Sequence, residues 1–323
     1  MTISIDDIVD AADAMKIPLW IALVGVAGYS YHTVYFFPLL LVVLVATLVL
    51  ILYYYNLWYK VRGTVWPDIC SKDVVLVTGG SQGLGKHIVK LLLRQGAEVI
   101  VLDITPPSTD EVTYIACDLA QPDQVREALN EITPHKQITV LINNAGVRHS
   151  DGVLAMAPDK LHRIFQINVF SPMLITKTVV ESYHRSKAKQ PPLRVCFISS
   201  VLGILAPRNL GVYSATKAAV TQMYDALVHE HRDDTNWLRF LLMLPGQMDT
   251  AMFRDVTPSK TFFAPVVAAN KLAKTIVAKL NRGEIGTVCA PVYGSILPVV
   301  KVLPECVQHW CRQFSEMDDK VEG

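Results

Sequence analysis

The sequence lacks any marked excess of one charge, because 30 lysines and arginines stand against 29 aspartates and glutamates. A near-neutral chain has no electrostatic basis for binding nucleic acid, so we expect no nucleic-acid partner. The sequence also lacks a CxxC pair and a His/Cys cluster at metal-ligand spacing, so we expect no bound metal. Its cysteines instead predict free thiols in a domain that faces the cytosol. They are Cys70, Cys117, Cys196, Cys289, Cys306 and Cys311.

Charge is missing altogether from one long stretch near the N-terminus. No Asp, Glu, Lys or Arg occurs from Ile17 to Tyr59, a run of 43 residues. A spanning helix needs about 20 apolar residues, so residues 17–59 predict a membrane anchor of one or two spans. The acidic segment 1–16 and the length of the run argue against a cleaved signal peptide.

The stronger candidate span is 36–59, which ends in five aromatic residues at 53–55, 58 and 59. Aromatic side chains mark the membrane–water interface, and the basic Lys60 and Arg62 that follow predict a cytoplasmic side there. The weaker candidate, 17–35, contains Gly25 and Gly28. It is compatible with a second span, a hairpin arm or an interfacial segment.

After a linker at 60–72, short β-branched runs alternate with helix-like stretches up to residue 292. This rhythm predicts one α/β domain at 73–292, a doubly wound parallel sheet with helices on both faces. The predicted strands are 74–78, 98–103, 112–117, 138–143, 194–199, 238–244 and 286–290, and the predicted helices are 84–95, 122–132, 158–185, 213–231 and 266–281. Only eight residues, two of them prolines, separate 103 from 112, so a loop must make that crossover. An apolar C-terminal segment, 293–323, follows.

A glycine-rich loop, TGGSQGLGK at 78–86, joins the first strand to the first helix. Gly79, Gly83 and Gly85 allow a tight turn and a close approach of the backbone to a pyrophosphate, which the N-terminus of the helix attracts. The loop predicts a dinucleotide site whose other members are Thr78, Ser81 and Leu84. Asp103, 18 residues after Gly85 at the end of the second strand, can accept hydrogen bonds from ribose hydroxyls and repels a 2′-phosphate. No Lys or Arg follows it before Arg126, which favours NAD over NADP.

The fourth and fifth strands also end in polar residues. NNAG at 143–146 closes the fourth strand, where Asn143 and Asn144 can fix a loop and Gly146 admits a ligand; Ala145 belongs to the same motif. Ser200 follows the fifth strand, and Tyr213 and Lys217 share one helix face at i, i+4. We expect the lysine to lower the tyrosine pKa and the serine to bind the substrate oxygen, which makes an acid–base device. Asn168 is either a holder of a relay water or a helix-bend residue.

Together these motifs resemble the short-chain dehydrogenase/reductase family over residues 73–292. The resemblance implies a catalytic tetrad of Asn168, Ser200, Tyr213 and Lys217. It also implies that Pro245 and Gly246 abut the nicotinamide, that Thr250 binds its carboxamide, and that Asp118 and the adjoining Leu119 lie beside the adenine. Tyr213 and Lys217 would contact the cofactor as well.

A finer resemblance, to the membrane-anchored retinol and 17β-hydroxysteroid dehydrogenase group, lies in the anchor, in PGQMDTAMF and in FFAPVV at 262–267. It implies a lipophilic alcohol, ketone or aldehyde as substrate and an endoplasmic reticulum or lipid-droplet location, with a homodimer left open. We expect the C-terminal segment and the loop after Thr250 to form an apolar substrate mouth near the membrane.

Two alternatives to this function remain. A 3-ketosphinganine-type reductase would use NADPH, which Asp103 opposes, and a catalytically silent membrane scaffold is opposed by the intact tetrad.

Overall fold

The computed structural model describes residues 4–31, 33, 35–186, 191–256 and 260–320. The chain divides into two compact units, Met1–Val65 and Trp66–Gly323.

The smaller unit consists of two helices, α1 (Ile5–Tyr29) and α2 (Phe36–Lys60). Each has 25 residues and is long and apolar enough to cross a membrane. Helix α1 begins within the acidic segment, where Ser4 caps it. The two helices pack on each other, since Trp20 Nε1 donates to Thr47 Oγ1 at 2.9 Å. No side chain of α2 is buried, which is unlike a helix in the core of a soluble domain.

The larger unit is a seven-stranded parallel sheet in the order β3-β2-β1-β4-β5-β6-β7. Its strands are β1 (Val74–Thr78), β2 (Glu98–Asp103), β3 (Thr113–Ala116), β4 (Val140–Asn143), β5 (Leu193–Ile198), β6 (Leu238–Pro245) and β7 (Gly286–Ala290). Its helices are α3 (Gly83–Arg94), α4 (Pro122–Ile132), α5 (Pro158–Phe165), α6 (Ser171–Arg185), α7 (Gly211–Glu230), α8 (Ala269–Asn281), α9 (Leu297–Lys301) and α10 (Glu305–Ser315). The predicted doubly wound fold is confirmed.

Strands β4, β5 and β6 are buried along their whole length, as expected for a parallel sheet covered on both faces. Two hydrophobic clusters form the core, one on each side of the sheet. Residues 104–112 carry the crossover from β2 to β3 without a helix, as the two prolines predict. Strand β3 is one residue shorter at each end than expected.

The predicted helix at 158–185 is interrupted by a π-helical turn at Gln166–Phe170. Pro172 follows this turn in the first turn of α6. Since proline has no N–H, it cannot donate to the carbonyl of Asn168, four residues earlier, as an α-helix would require. The irregularity therefore falls on Asn168, one of the predicted site residues.

Residues 66–72, assigned to a linker from the sequence, pack at the amino ends of the strands. Trp66 is buried, and the guanidinium carbons of Arg239 and Arg194 lie 4.1 Å and 5.2 Å from its ring centroid. The Arg194 side chain also donates to the carbonyl of Leu280 at 2.8 Å. These contacts fix the start of the domain at the edge of the sheet opposite the carboxyl ends of the strands.

Candidate active site

A cavity of about 1080 Å³ lies at the carboxyl ends of the parallel strands. In doubly wound sheets this edge holds the ligand crevice. The structure brings most of the predicted site residues to its wall: Gly79, Gly83, Leu84, Asp103, Asp118, Leu119, Asn144, Ala145, Gly146, Ser200, Tyr213, Lys217, Pro245, Gly246 and Thr250. Four others stand behind the wall, namely Thr78, Ser81, Gly85 and Asn168, and they shape it through hydrogen bonds and close packing.

The glycine loop is locked to the NNAG motif. The Thr78 hydroxyl accepts the N–H groups of Asn144 and Ala145, both at 3.1 Å. Asn144 Nδ2 donates to the carbonyls of Thr78 and Gly79 at 3.0 Å and 2.9 Å, so its expected loop-fixing role is confirmed. Asn143 acts differently, because its Nδ2 donates to Thr176 on α6 at 2.9 Å.

The same loop leaves no room for side chains at two of its glycines. A Cβ on Gly85 would lie 2.0 Å from the Gly79 carbonyl oxygen, and one on Gly79, whose φ is +66°, would lie 2.9 Å from Ala145 Cα. Helix α3 begins at Gly83, and no side chain caps its first N–H groups. Free N–H groups at a helix start form an anion site, as the phosphates of a dinucleotide require.

Both predicted acidic residues of the cofactor site are held in place by backbone N–H groups. The Asp103 carboxylate is buried and accepts from Ser81 N at 3.0 Å and Thr105 N at 3.3 Å. Asp118 accepts from Ala120 N at 2.9 Å and forms an ion pair with Arg163 at 3.3 Å. The carboxylate of Asp103 thereby tethers the glycine loop, a second role that its position in the sequence did not indicate.

Tyr213 and Lys217 face the cavity from one side of α7. The Lys217 Nζ donates to the carbonyl of Ile198 at 2.9 Å and lies 5.8 Å from the Tyr213 ring centroid. Ser200 follows β5, and its hydroxyl accepts from Leu202 N at 3.1 Å. The serine hydroxyl, the phenol and the ammonium group therefore meet at one end of the cavity, as the sequence predicted.

Burial controls the titration of both groups on α7. It raises the pKa of Tyr213 to about 12, although a hydrogen bond to Ser200 and the charge of Arg148 act in the opposite direction. It lowers the pKa of Lys217 to about 8. The expectation that Lys217 lowers the tyrosine pKa stays a prediction, because the groups that oppose the effect of burial here are Ser200 and Arg148.

The low pKa of Lys217 predicts a pH-dependent stability. The lysine loses its proton near pH 8 in the folded protein and near its ordinary value of 10.5 in the unfolded chain. Between these values the unfolded chain binds more protons, so the free energy of unfolding rises with pH. From pH 8 to 10.5 we expect the wild type to gain up to about 3 kcal/mol over Lys217→Met, with parallel curves below pH 8.

Denaturant titrations in detergent, followed by near-UV circular dichroism across pH 7 to 10.5, measure this difference. Lys274→Met on the exposed face of α8 is the matched control and should parallel the wild type throughout. If Lys217→Met also paralleled the wild type above pH 8, the lysine would not be held in a desolvated site.

Asn168 is buried, and its side chain is fully engaged. Its Oδ1 accepts from Val147 N and its Nδ2 donates to the carbonyl of Val147, both at 2.9 Å. The Nδ2 also donates to Thr216 Oγ1 at 3.0 Å. The side chain thus ties the residue after NNAG to α7, and the role of holding a relay water stays a prediction.

An unpaired buried hydroxyl in the cavity wall gives separate support for a nicotinamide dinucleotide in this site. Among the described residues, the hydroxyl of Thr250 is buried without a hydrogen-bond partner. Buried hydroxyls are rarely left unpaired, so this atom calls for a polar ligand group such as a carboxamide. Thr250 also approaches the glycine loop, since a Cβ on Gly83 would lie 3.5 Å from its Cγ2.

Arg148 is a wall residue that the sequence did not predict, whereas the loop after Thr250 and the C-terminal segment were expected to form an apolar mouth. Arg148 lies directly after Val147 and reaches the segment after Thr250, while Phe253 packs edge-on to Tyr213 with ring centroids 6.0 Å apart. The only sequence signal for Arg148 was a charged residue just beyond the NNAG motif. The C-terminal segment contributes further wall residues: Leu297, Val300, Cys311, Phe314, Ser315, Met317 and Lys320.

The pattern of the short chain dehydrogenase family matches residues 73–261, and the chain belongs to this family. It is 34% identical over 259 residues to "Uncharacterized oxidoreductase TDA5" of Saccharomyces cerevisiae, covering 77% of each chain. It is 25% identical over 281 residues to "Dehydrogenase/reductase SDR family protein 7-like" of Drosophila melanogaster, covering 79% of this chain and 84% of that protein.

Among solved structures, a short chain dehydrogenase from Burkholderia cenocepacia in complex with NADP has the same fold. Its TM-score is 0.63 at 24% identity, and the match covers 76% of this chain and 98% of that one. Family membership and the site together make this protein an oxidoreductase that uses NAD or NADP to interconvert an alcohol and a carbonyl compound.

Proposed function

We propose that the protein is a membrane-anchored dehydrogenase that transfers a hydride between NAD and a lipophilic alcohol or the matching ketone or aldehyde, of the retinoid, steroid or other lipid type. The observation that carries the substrate class is the apolar wall of the cavity on the C-terminal side. Phe263, Phe314, Leu297 and Val300 line it there, together with the polar Ser315 and Lys320.

The preference for NAD is supported by Asp103. Asp103 lines the cavity, as do Gln82 and Ile104, and neither of these two side chains carries a positive charge that could pair with a phosphate. A 2′-phosphate would meet the carboxylate at close range in a partly desolvated site, where like charges repel strongly. Solved neighbours of this fold include one in complex with NADP and one complexed with NADH. The fold alone therefore does not indicate the cofactor, and the preference for NAD rests on the residues of this chain.

Replacing Asp103 by Ser together with Ile104→Arg is expected to shift the ratio of NAD to NADP affinity by roughly tenfold to a hundredfold towards NADP, since charged hydrogen bonds contribute about 1.5–3 kcal/mol. Quenching of protein fluorescence by NADH and NADPH measures both dissociation constants. Asp110→Ser, in the same crossover loop, is the control and should leave the ratio unchanged. A wild-type protein that bound NADPH more tightly than NADH would contradict the assignment.

The proposed roles of the tetrad follow from its geometry. Tyr213 exchanges a proton with the substrate oxygen, and Ser200 donates a hydrogen bond to that oxygen. Lys217 holds the end of β5 through the Ile198 carbonyl and supplies positive charge beside the phenol. Asn168 holds Val147 against α7 through its side-chain hydrogen bonds. NAD, when bound, supplies the hydride acceptor or, as NADH, the donor.

Membrane anchoring is supported by α1 and α2, whose apolar faces are largely exposed to solvent. Burying such faces in lipid removes a large unfavourable apolar surface from water. Lys60 and Arg62 after α2 favour a catalytic domain that faces the cytosol, and the finer resemblance to membrane-anchored retinol and 17β-hydroxysteroid dehydrogenases favours the endoplasmic reticulum or lipid droplets.

A turnover assay that follows NADH fluorescence with the full-length protein in detergent tests this function. The panel comprises retinoid, steroid and long-chain alcohols with their short-chain, water-soluble counterparts. We expect NAD-dependent oxidation of the lipophilic members at the highest kcat/KM. Turnover confined to water-soluble alcohols would refute the substrate class, and turnover of a 3-ketosphinganine with NADPH alone would support the alternative reductase.

A further inference from the structure

Arg148 joins two parts of the cavity wall that are far apart in the sequence. Its Nε donates to the carbonyl of Met252, and its terminal nitrogen donates to the carboxylate of Asp255. Its guanidinium carbon lies 4.8 Å from the ring centroid of Phe253. One planar side chain therefore contacts three residues of loop 250–256, the segment that follows β6 and begins with Thr250.

The base of Arg148 is itself fixed. The preceding residue, Val147, has both its N–H and its carbonyl bound by the Asn168 side chain at 2.9 Å. The side chain of Arg148 is only 12% exposed, whereas that of Asp255 is 60% exposed. The guanidinium is thus held at the cavity wall, and the loop is fastened to it.

The far side of the loop reaches the reacting groups. Phe253 is buried and packs edge-on to Tyr213, and Thr250, three residues earlier, carries the unpaired buried hydroxyl. Gln247 adds an internal brace by donating to the carbonyl of Phe253 at 3.3 Å. The position of the loop therefore determines where both Thr250 and Phe253 lie.

We propose that Arg148 is a positioning residue that clamps loop 250–256 onto the NNAG segment, so that Thr250 meets the nicotinamide and Phe253 packs against Tyr213. An arginine suits this task because its planar fork donates in two directions while its face stacks on an aromatic ring. A lysine would keep the charge and lose the fork and the stack. The proposal rests on the family's cofactor site and is independent of the lipid substrate.

Hydrogen–deuterium exchange of the full-length protein in detergent, without substrate or cofactor, tests the clamp directly. Loss of two hydrogen bonds and the stack in Arg148→Ala should accelerate exchange of the amides of 251–256 by about tenfold or more. Arg148→Lys should accelerate it similarly, and Asp255→Asn by less than about threefold, because that ion pair is exposed. Arg254→Ala, an exposed arginine in the same loop, should leave exchange unchanged.

Two further readouts separate positioning from charge. The dissociation constant of NADH should rise about three- to tenfold in both Arg148 variants, because each lost hydrogen bond contributes about 1 kcal/mol. The charge of Arg148 opposes the rise in the pKa of Tyr213, so the limb of the pH–rate profile that reports the ionisation of Tyr213 should move to higher pH in Arg148→Ala and stay in place in Arg148→Lys.

Peptides of β1 and β5 report whether each variant keeps its fold, and Arg148→Lys serves if Arg148→Ala does not fold. Unchanged exchange of 251–256 in the folded Arg148 variants would overturn the proposal. So would wild-type protection in Arg148→Lys, since charge alone would then hold the loop. Neither result would bear on the lipid substrate, which the turnover panel tests separately.

Discussion

Tyr213→Phe is expected to lower kcat at least ~100-fold, the low end of general acid–base contributions, while the dissociation constant of NADH stays nearly unchanged. The variant keeps the ring, and with it the packing against Phe253, but it deletes the hydroxyl that exchanges a proton with the substrate. Steady-state turnover and NADH fluorescence quenching measure the two quantities on the same preparation.

Tyr224→Phe is the matched control for this experiment. Tyr224 is a second buried tyrosine on α7 and does not belong to the cavity wall, so loss of its hydroxyl should leave kcat within about twofold of the wild type. A Tyr213→Phe enzyme with kcat as high as that of Tyr224→Phe would remove Tyr213 from the role of proton donor and acceptor.

The high pKa of Tyr213 affects the two directions of the reaction differently. A phenol with a pKa of about 12 stays protonated at neutral pH, so it cannot act as a base until that proton has been removed. On this basis the reductive direction, in which Tyr213 donates its proton, needs no deprotonation beforehand. We expect the oxidative direction to require positive charge beside the phenol, such as that of Arg148, to stabilise the phenolate.

The parts of the fold that the sequence predicted are those set by local pattern. Strands β1, β2 and β7 have the expected bounds because β-branched runs between turn residues are readable over a few positions. The glycine loop, NNAG, Ser200, Tyr213 and Lys217 were found for a related reason, since each motif follows directly from the end of a strand or lies on one helix face.

What sequence reasoning missed depends on contacts between distant segments. Arg148 and Asp255 are 107 positions apart, and neither carries a local signal of the other. The raised pKa of Tyr213 arises from tertiary burial in a cluster with Ile164, Leu210 and Phe253, which the i, i+4 spacing to Lys217 does not reveal. Trp66 was placed in a linker because Arg239, whose guanidinium stacks on its ring, is far away in the sequence.

The segments that the sequence predicts to form an apolar mouth carry a chain of aromatic contacts beside the cavity. The ring centroids of Phe262 and Phe263 lie 4.9 Å apart, and those of Phe263 and Phe314 lie 5.6 Å apart. Trp310 continues the chain by stacking on Phe314 at 5.8 Å. All four are at least 40% exposed, an unusual concentration of solvent-facing rings for a soluble surface. We propose that they face lipid and admit the substrate.

Charging this mouth by Phe262→Asp with Phe263→Asp is expected to abolish the preference for apolar substrates. Each CH₂ that the substrate buries contributes about 0.8 kcal/mol, so kcat/KM of the wild type should rise about fourfold per methylene along a homologous alcohol series until the mouth is filled. Two carboxylates at the entrance would remove that gain and flatten the series, with little effect on the shortest alcohol. The matched control, Phe262→Leu with Phe263→Leu, keeps an apolar surface and should retain most of the slope. Equal slopes for the Asp and Leu pairs would show that substrates reach Tyr213 by another route.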